Sequence, residues 1–266
     1  MASAYFDSLV DHSLTVVTEH SENDSLMVNE SQAYSLAPAS GEVNLKLQLN
    51  DKEVNLEEVT DLMANPKIPR VKFLELDNNE FGDEGVGVLA GAECLANLES
   101  LSLAHNKITD RGIQALAASP VLTRLRKLYL QHNGFGRKGL QALAGSPTLA
   151  GLTLLHLKAN RLGPEGARIL ADSPVLRNIE ELYLQGTWIG SEGLEALCRS
   201  PVMASVKILN VSYNNLDDRA ADYLVESKQL SRLMTLDLYG NTFGKDTLSK
   251  LKSFYASSRT VLLIDD

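Results

Sequence analysis

With 266 residues and a hydrophobic share of 44%, the chain is long enough for a substantial core and ordinary for a soluble protein. No apolar run nears the ~20 residues a membrane-spanning helix needs, and the first residues lack the basic-then-apolar pattern of a secretory leader. The net charge of −9 leaves no basic stripe of the kind nucleic acid demands, so a cytoplasmic protein without membrane or nucleic-acid partners is expected.

Residues 1–44 form a unit of their own in composition. They hold Asp7, Asp11, Glu19, Glu22, Asp24, Glu30 and Glu42 and no Lys or Arg, so seven of the nine net charges lie there. Serine recurs at Ser3, Ser8, Ser13, Ser21, Ser25, Ser31, Ser35 and Ser40, with short apolar pieces at Leu14-Thr15-Val16-Val17 and Leu26-Met27-Val28 and a break from Pro38 to Gly41. Such a segment suits an arm or hairpin that covers the open end of the following core. It also resembles the Ser-rich export signals of bacterial effectors injected into host cells, and a plain disordered arm has the same composition.

From residue 45 onward the chain is periodic. Leu47 and Leu49 open a degenerate unit with Lys52 at its turn, and seven units follow whose marker positions are Asn79, Asn106, Asn133, Asn160, Thr187, Asn214 and Asn241, spaced by 27 residues without insertion or deletion. Each marker closes a Leu-x-Leu pair, as at Leu74/Leu76, Leu101/Leu103, Leu128/Leu130 and Leu155/Leu157, the period-two pattern of a short strand with one buried face. An apolar anchor stands two residues after the marker (Phe81, Ile108, Phe135, Leu162, Ile189, Leu216, Phe243), and a helix follows, stopped at Ser119-Pro120, Ser146-Pro147, Ser173-Pro174 and Ser200-Pro201. Strand and helix alternating at a fixed period predict an α/β solenoid, with parallel strands on a concave sheet, helices on the convex side and a right-handed turn per unit. The asparagine amide donates and accepts at once, so it can tie its own turn to that of the next unit. At the far end Val261-Leu262-Leu263-Ile264 predict an edge strand, followed by Asp265-Asp266, whose charges discourage another chain from pairing there. Cys94 and Cys198 fall at different phases of units four repeats apart, ~19 Å at the usual strand spacing, beyond disulfide reach; both are expected to be reduced.

The Leu-x-Leu-x-x-Asn units resemble the leucine-rich repeats over residues 45–266, and Gly85, Gly112, Gly139, Gly166 and Gly193 in the helical part make the unit similar to the ribonuclease-inhibitor-like class. The Ala-Leu-Ala-Ala/Gly-Ser-Pro helix ends are similar to repeat arrays common in bacterial proteins. The resemblance implies a binding protein and leaves the partner open, because this fold hosts many functions. GTPase-activating proteins of the Ran system share the class, so a regulator of a small GTPase is an alternative.

Three outward columns define the candidate surface. The first runs Gln48, Glu75, Ser102, Tyr129, His156, Tyr183, Asn210, Asp237; the second Asn50, Asp77, Ala104, Gln131, Lys158, Gln185, Ser212, Tyr239; the third Asp51, Asn78, His105, His132, Ala159, Gly186, Tyr213, Gly240. Tyrosine and histidine combine apolar area with polar tips, as protein-binding surfaces do. Thr187 breaks the marker rule, and the only tryptophan, Trp188, stands beside it at a position held elsewhere by Glu80, Lys107, Gly134 and Arg161. The expected contact residues are Tyr129, Gln131, His132, His156, Lys158, Tyr183, Gln185, Trp188, Tyr213, Asp237 and Tyr239, binding a protein partner to a monomeric chain. No metal or cofactor is expected: His105 and His132 share a column, but Ala159 follows them and His156 lies in another. Catalysis is not expected either, since phosphate loops, His-Glu-x-x-His and nucleophile elbows are missing. The pairs Glu180-Glu181 and Asp217-Asp218 read as solvated or capping groups.

Overall fold

A computed structural model describes residues 4–17 and 44–265. The serines from Ser21 to Ser40, Leu26-Met27-Val28 and the Pro38–Gly41 break lie outside the described residues. The chain begins with α1 (Ala4–Ser13) and β1 (Leu14–Val17), then β2 (Asn44–Gln48), α2 (Leu56–Ala64), β3 (Val71–Glu75) and α3 (Gly82–Gly91). It continues through β4 (Ser100–Ser102), α4 (Asp110–Ala117), β5 (Lys127–Tyr129), α5 (Arg137–Ala144), β6 (Leu154–His156) and α6 (Gly163–Ala171). The last units are β7 (Glu181–Tyr183), α7 (Gly190–Arg199), β8 (Ile208–Asn210), α8 (Arg219–Glu226), β9 (Thr235–Asp237), α9 (Lys245–Ala256) and β10 (Val261–Leu263).

All ten strands form one sheet in chain order. From β2 to β10 neighbours are parallel, and leucine pairs with leucine along the middle of the sheet: Leu74↔Leu101, Leu101↔Leu128, Leu128↔Leu155, Leu155↔Leu182. Each unit buries its leucines only against its neighbours, and the result is one continuous core from Phe6 to Tyr255. Strands sit ~4.8 Å apart and packed helices 8–10 Å, so a stack of such units must curve with the sheet on its concave side. The first end is closed within the chain. β1 pairs antiparallel with β2, from Leu14↔Leu47 to Val17↔Asn44, while Phe6, Val10 and Val16 enter the core.

The asparagine column is buried at Asn79, Asn106, Asn160 and Asn214, the last three at zero exposure, and half-buried at Asn133 and Asn241. Asn106 shows its work. Its Oδ1 accepts from Asn79 N at 3.1 Å, and its Nδ2 donates to Leu76 O of the preceding unit at 2.8 Å and to Ala104 O of its own turn at 3.0 Å. Asn133, Asn214 and Asn241 repeat the pattern and accept a second amide as well, from Ile108, Ile189 and Leu216. Sequence reasoning missed a second ladder at the other rim. The serine hydroxyls of the Ser-Pro pairs not only precede helix-ending prolines; Ser119, Ser146, Ser173 and Ser200 donate to Ala90, Ala117, Ala144 and Ala171 O of the unit before, and Ser227 continues to Cys198 O. The helical glycines answer to the same close stacking, since a Cβ on Gly112 would run into Asp83 and Ile108 of the preceding unit and turn.

Thr187 interrupts the asparagine column. Its Oγ1 donates to Leu184 O at 2.7 Å in its own turn, and no side-chain bond reaches back to the preceding unit. Asn160 N therefore turns to Leu157 O at 3.3 Å, and Leu162 N takes the Thr187 carbonyl at 3.2 Å. Thr187→Asn restores a donor to Leu157 O and an acceptor for Asn160 N, and is expected to raise stability by ~1–2 kcal/mol, read as a higher urea midpoint at unchanged m-value. An unchanged midpoint would mean that the backbone contacts already replace the lost link.

Candidate binding surface

Strands of three residues place only the first outward column inside the sheet proper. The ladder nevertheless runs on through the exits, with Leu103 N to Tyr129 O at 2.9 Å and His105 N to Gln131 O at 3.1 Å, so the second and third columns continue the same surface. The third column is where the chain turns away, and it does so with left-handed backbone: Asp51, Asn78, His105, His132, Ala159 and Tyr213 have φ between 54° and 57°, and Gly186 and Gly240 have 60° and 67°. Asn, Asp, His and Gly tolerate this region best. Part of the column's chemistry is thus set by the backbone, a signal readable in the residue types that sequence reasoning treated only as surface.

At the N-terminal end the surface is polar and internally satisfied. A hollow of about 380 Å³ is lined in part by Lys46, Glu75, Asp77, Ser102, Tyr129 and Gln131. Glu75 pairs with Lys46 at 2.7 Å and accepts from Gln48 and Asn50, while Asp77 accepts from Ser102 Oγ and Ala104 N. Burial raises the Asp77 carboxyl above its ordinary value against the pull of those two donors.

The middle carries a ridge of rings. Tyr129 meets His156 edge-on with centroids 6.0 Å apart, and His156 meets Tyr183 at 4.8 Å. Tyr183 OH donates to Glu181 at 2.9 Å, and burial followed by that carboxylate raises the phenol's pKa. His156 Nε2 and the Oε1 atoms of Gln131 and Gln185 are buried without a hydrogen-bond partner. Burial, reinforced by the Lys158 charge, holds the His156 imidazole down to about 4 from the ordinary 6.5. The ridge histidine is therefore neutral at physiological pH.

The C-terminal half and the turn rim hold the exposed aromatics. Tyr213 and Tyr239 are 58% and 50% exposed and touch edge-on at 5.7 Å. The Tyr213 ring lies against Gly240, where a Cβ would collide with it. Asp237, expected as a polar contact, is already engaged by Asn210 Nδ2 at 2.6 Å and Tyr239 N at 3.0 Å. Trp188 is 61% exposed on left-handed backbone, φ 65°, at the rim rather than in a strand column. His105 and His132 stack with centroids 4.2 Å apart, and burial, with His105 and Lys158, lowers the His132 pKa. His156 contacts the tyrosines and stays out of that stack, and no group of three or more metal-ligating side chains occurs among the described residues.

The remaining sequence candidates have structural partners. Glu180 pairs with Lys207; Asp217 accepts from Arg219 and Ser191, and Asp218 from Gly244 N, which hold both aspartates below their ordinary range. Cys198 is buried, its thiol pushed up to about 12 by burial, and Cys94 rests on Met63 with sulfurs 3.8 Å apart; both are free.

Five segments, residues 71–90, 92–117, 121–144, 175–198 and 202–225, match the family model described as leucine-rich repeat. Together with one parallel strand per unit and the buried asparagine column, this makes the chain a leucine-rich-repeat protein. Among solved structures, a protein from Bacteroides fragilis is 16% identical over 78% of this chain and 69% of its own, with a TM-score of 0.46. An internalin from Listeria monocytogenes is 15% identical over 82% and 71%, with a TM-score of 0.40. No curated protein matches the chain.

The His156 shift fixes a pH dependence. Above pH 6.5 folded and unfolded chains both keep the ring neutral, and the site costs nothing. Between 6.5 and about 4 the unfolded chain takes a proton that the folded chain refuses, so stability falls as pH falls through this window. His156→Gln is expected to lose less stability than the parent across that window, by roughly 2 kcal/mol after allowance for the ring's partial exposure. Matching urea titrations at both ends test it, and parallel losses in the two proteins would contradict it.

Proposed function

We propose that this leucine-rich-repeat chain is a non-enzymatic interaction module that seats a partner protein on its concave face, along the ridge Tyr129–His156–Tyr183 and the rim aromatics Trp188, Tyr213 and Tyr239. Leucine-rich repeats generally mediate protein–protein contacts, which supports the coarse reading. The observation that carries the finer one is the pair Trp188 and Tyr213. Both are bulky side chains on left-handed backbone, at φ 65° and 54°, and both stand more than half in solvent. Such a placement forgoes the burial of a large apolar side chain and adds backbone strain of ~1–3 kcal/mol, where Gly, Asn or Asp would sit more easily. Large, stiff aromatics held outward at that cost suit an anchor role. Gln131, Lys158 and Gln185 flank the ridge and supply polar selectivity, His132 stands beside them, and Asp237 sets the charge at the far end.

Affinity capture identifies the partner, and calorimetry then compares variants. Tyr183→Ala and Trp188→Ala are each expected to weaken the complex by ~2 kcal/mol or more, while Gln141→Ala, exposed on helix α5 of the convex side, leaves it unchanged. Trp188→Asn should weaken the complex and at the same time raise the stability of the free chain. Equal losses for Gln141→Ala and the two aromatic variants would move the site off the concave face.

A further inference from the structure

The last strand of the described sheet is open on one side. β10 pairs with β9 in the register Val261↔Thr235, Leu262↔Leu236, Leu263↔Asp237. Val261 N donates to Met234 O and Leu238 N donates to Leu263 O, so these two residues turn their backbone groups toward β9, and the N–H and C=O of Leu262 face outward. No described strand lies on that side. Val261 and Leu263 are 58% and 47% exposed, and Met234 beside them 53%. Leu262 and Ile264 pack on the core from its open end and are only partly buried. At the opposite end the core is covered by Phe6, Val10 and Val16 of the same chain, and the antiparallel β1 forms the other edge of the described sheet. An apolar edge with unpaired backbone groups is a template for a further strand.

The sequence around the edge specifies which strand fits. Arg259-Thr260-Val261-Leu262-Leu263-Ile264-Asp265 is self-complementary about Leu262: Val261 mirrors Leu263, Thr260 mirrors Ile264, and the cation Arg259 mirrors the anion Asp265. We infer that β10 is the docking edge for a second copy of this chain, paired antiparallel about a two-fold axis through Leu262, so that two solenoids share one sheet. In this register Leu262 exchanges both hydrogen bonds with Leu262 of the second copy, the one arrangement its outward N–H and C=O allow at a dyad. Val261 meets Leu263 of the second copy, apolar on apolar, and Arg259 meets Asp265 twice across the axis. Arg259 is exposed, and no ion pair engages it among the described residues. Asp265 Oδ2 accepts from Gly240 N at 2.8 Å, which holds the carboxylate at the strand end with its other oxygen left for a guanidinium. Asp265, which would face its own copy in a parallel register, favours this antiparallel one, and the core end at Leu262 and Ile264 is covered at the same time.

Sedimentation velocity of the 266-residue chain across about a hundredfold range of concentration is expected to show a growing dimer fraction. Arg259→Asp and Asp265→Arg each place like charges opposite one another twice per dimer, and each alone should weaken self-association by about tenfold or more. When the two variants are mixed, the aspartates of the Arg259→Asp chain face the arginines of the Asp265→Arg chain at both ends of the paired strands, so a heterodimer should reappear. That rescue also answers the loss of the Gly240 contact in Asp265→Arg, because a frayed β10 could not regain pairing. A parent that sediments as a monomer throughout, single variants that dimerise as well as the parent, or a mixture without heterodimer would each overturn the inference. Capture of β10 by another protein's strand without self-association counts against it in the same way.

Discussion

Everything in this molecule depends on a side-chain amide buried between two turns. Where each strand ends, the chain must swing toward its helix, and the peptide groups of that turn leave the ladder without a partner of their own. Buried amides of that kind are expensive to leave unpaired. Asn106, with no exposure, answers for both sides at once, taking Asn79 N on Oδ1 and giving Nδ2 to Leu76 O. The reach of one asparagine is fixed, so a residue added to or removed from a unit would carry the amide out of range. The constant 27-residue spacing and the leucine-on-leucine register of the strands are two expressions of that one limit.

The same constraint shapes the surface available to a partner. With the backbone committed to the ladder, the proposed function leaves recognition to the side chains of the outward columns, and these divide along the array. The first units spend their polar groups on one another, as Glu75 does with Lys46, Gln48 and Asn50, and have little left to offer a newcomer. Further along, the columns carry rings in contact, the partly buried Tyr129, His156 and Tyr183 and then the exposed pair Tyr213 and Tyr239. Under the proposed function, a neutral His156 inside this ridge avoids placing a desolvated charge beneath a partner.

The architecture was legible because its signals are redundant. Seven in-phase turns, paired leucines and a fixed anchor all point to one parallel strand and one helix per unit, and an error in one unit is outvoted by the others. Thr187 was readable for the same reason: a broken rule stands out against six kept ones. The serine ladder was not, because Ser119 and Ser146 sit beside prolines that already account for the helix ends, and the acceptors Ala90 and Ala117 lie 29 residues back. Nor was the engagement of Asp237 by Asn210, which depends on rotamers of neighbouring strands rather than on spacing. The left-handed third column was written in plain view as Asp, Asn, His, His, Ala, Gly, Tyr, Gly. It went unread because exposed polar residues have a ready alternative explanation as binding groups.

The central claim is that stability resides in whole units joined by the ladder, and deletion tests it most directly. Removing residues 128–154, one full period, joins Lys127 to Leu155 in the register that Leu128 now occupies. It should leave a shorter chain that melts cooperatively with the circular dichroism of a strand-helix array. Removing residues 128–140, half a period, puts Asn160 out of reach of its partners and should abolish the cooperative melt. Comparable melts for the two deletions would contradict the account.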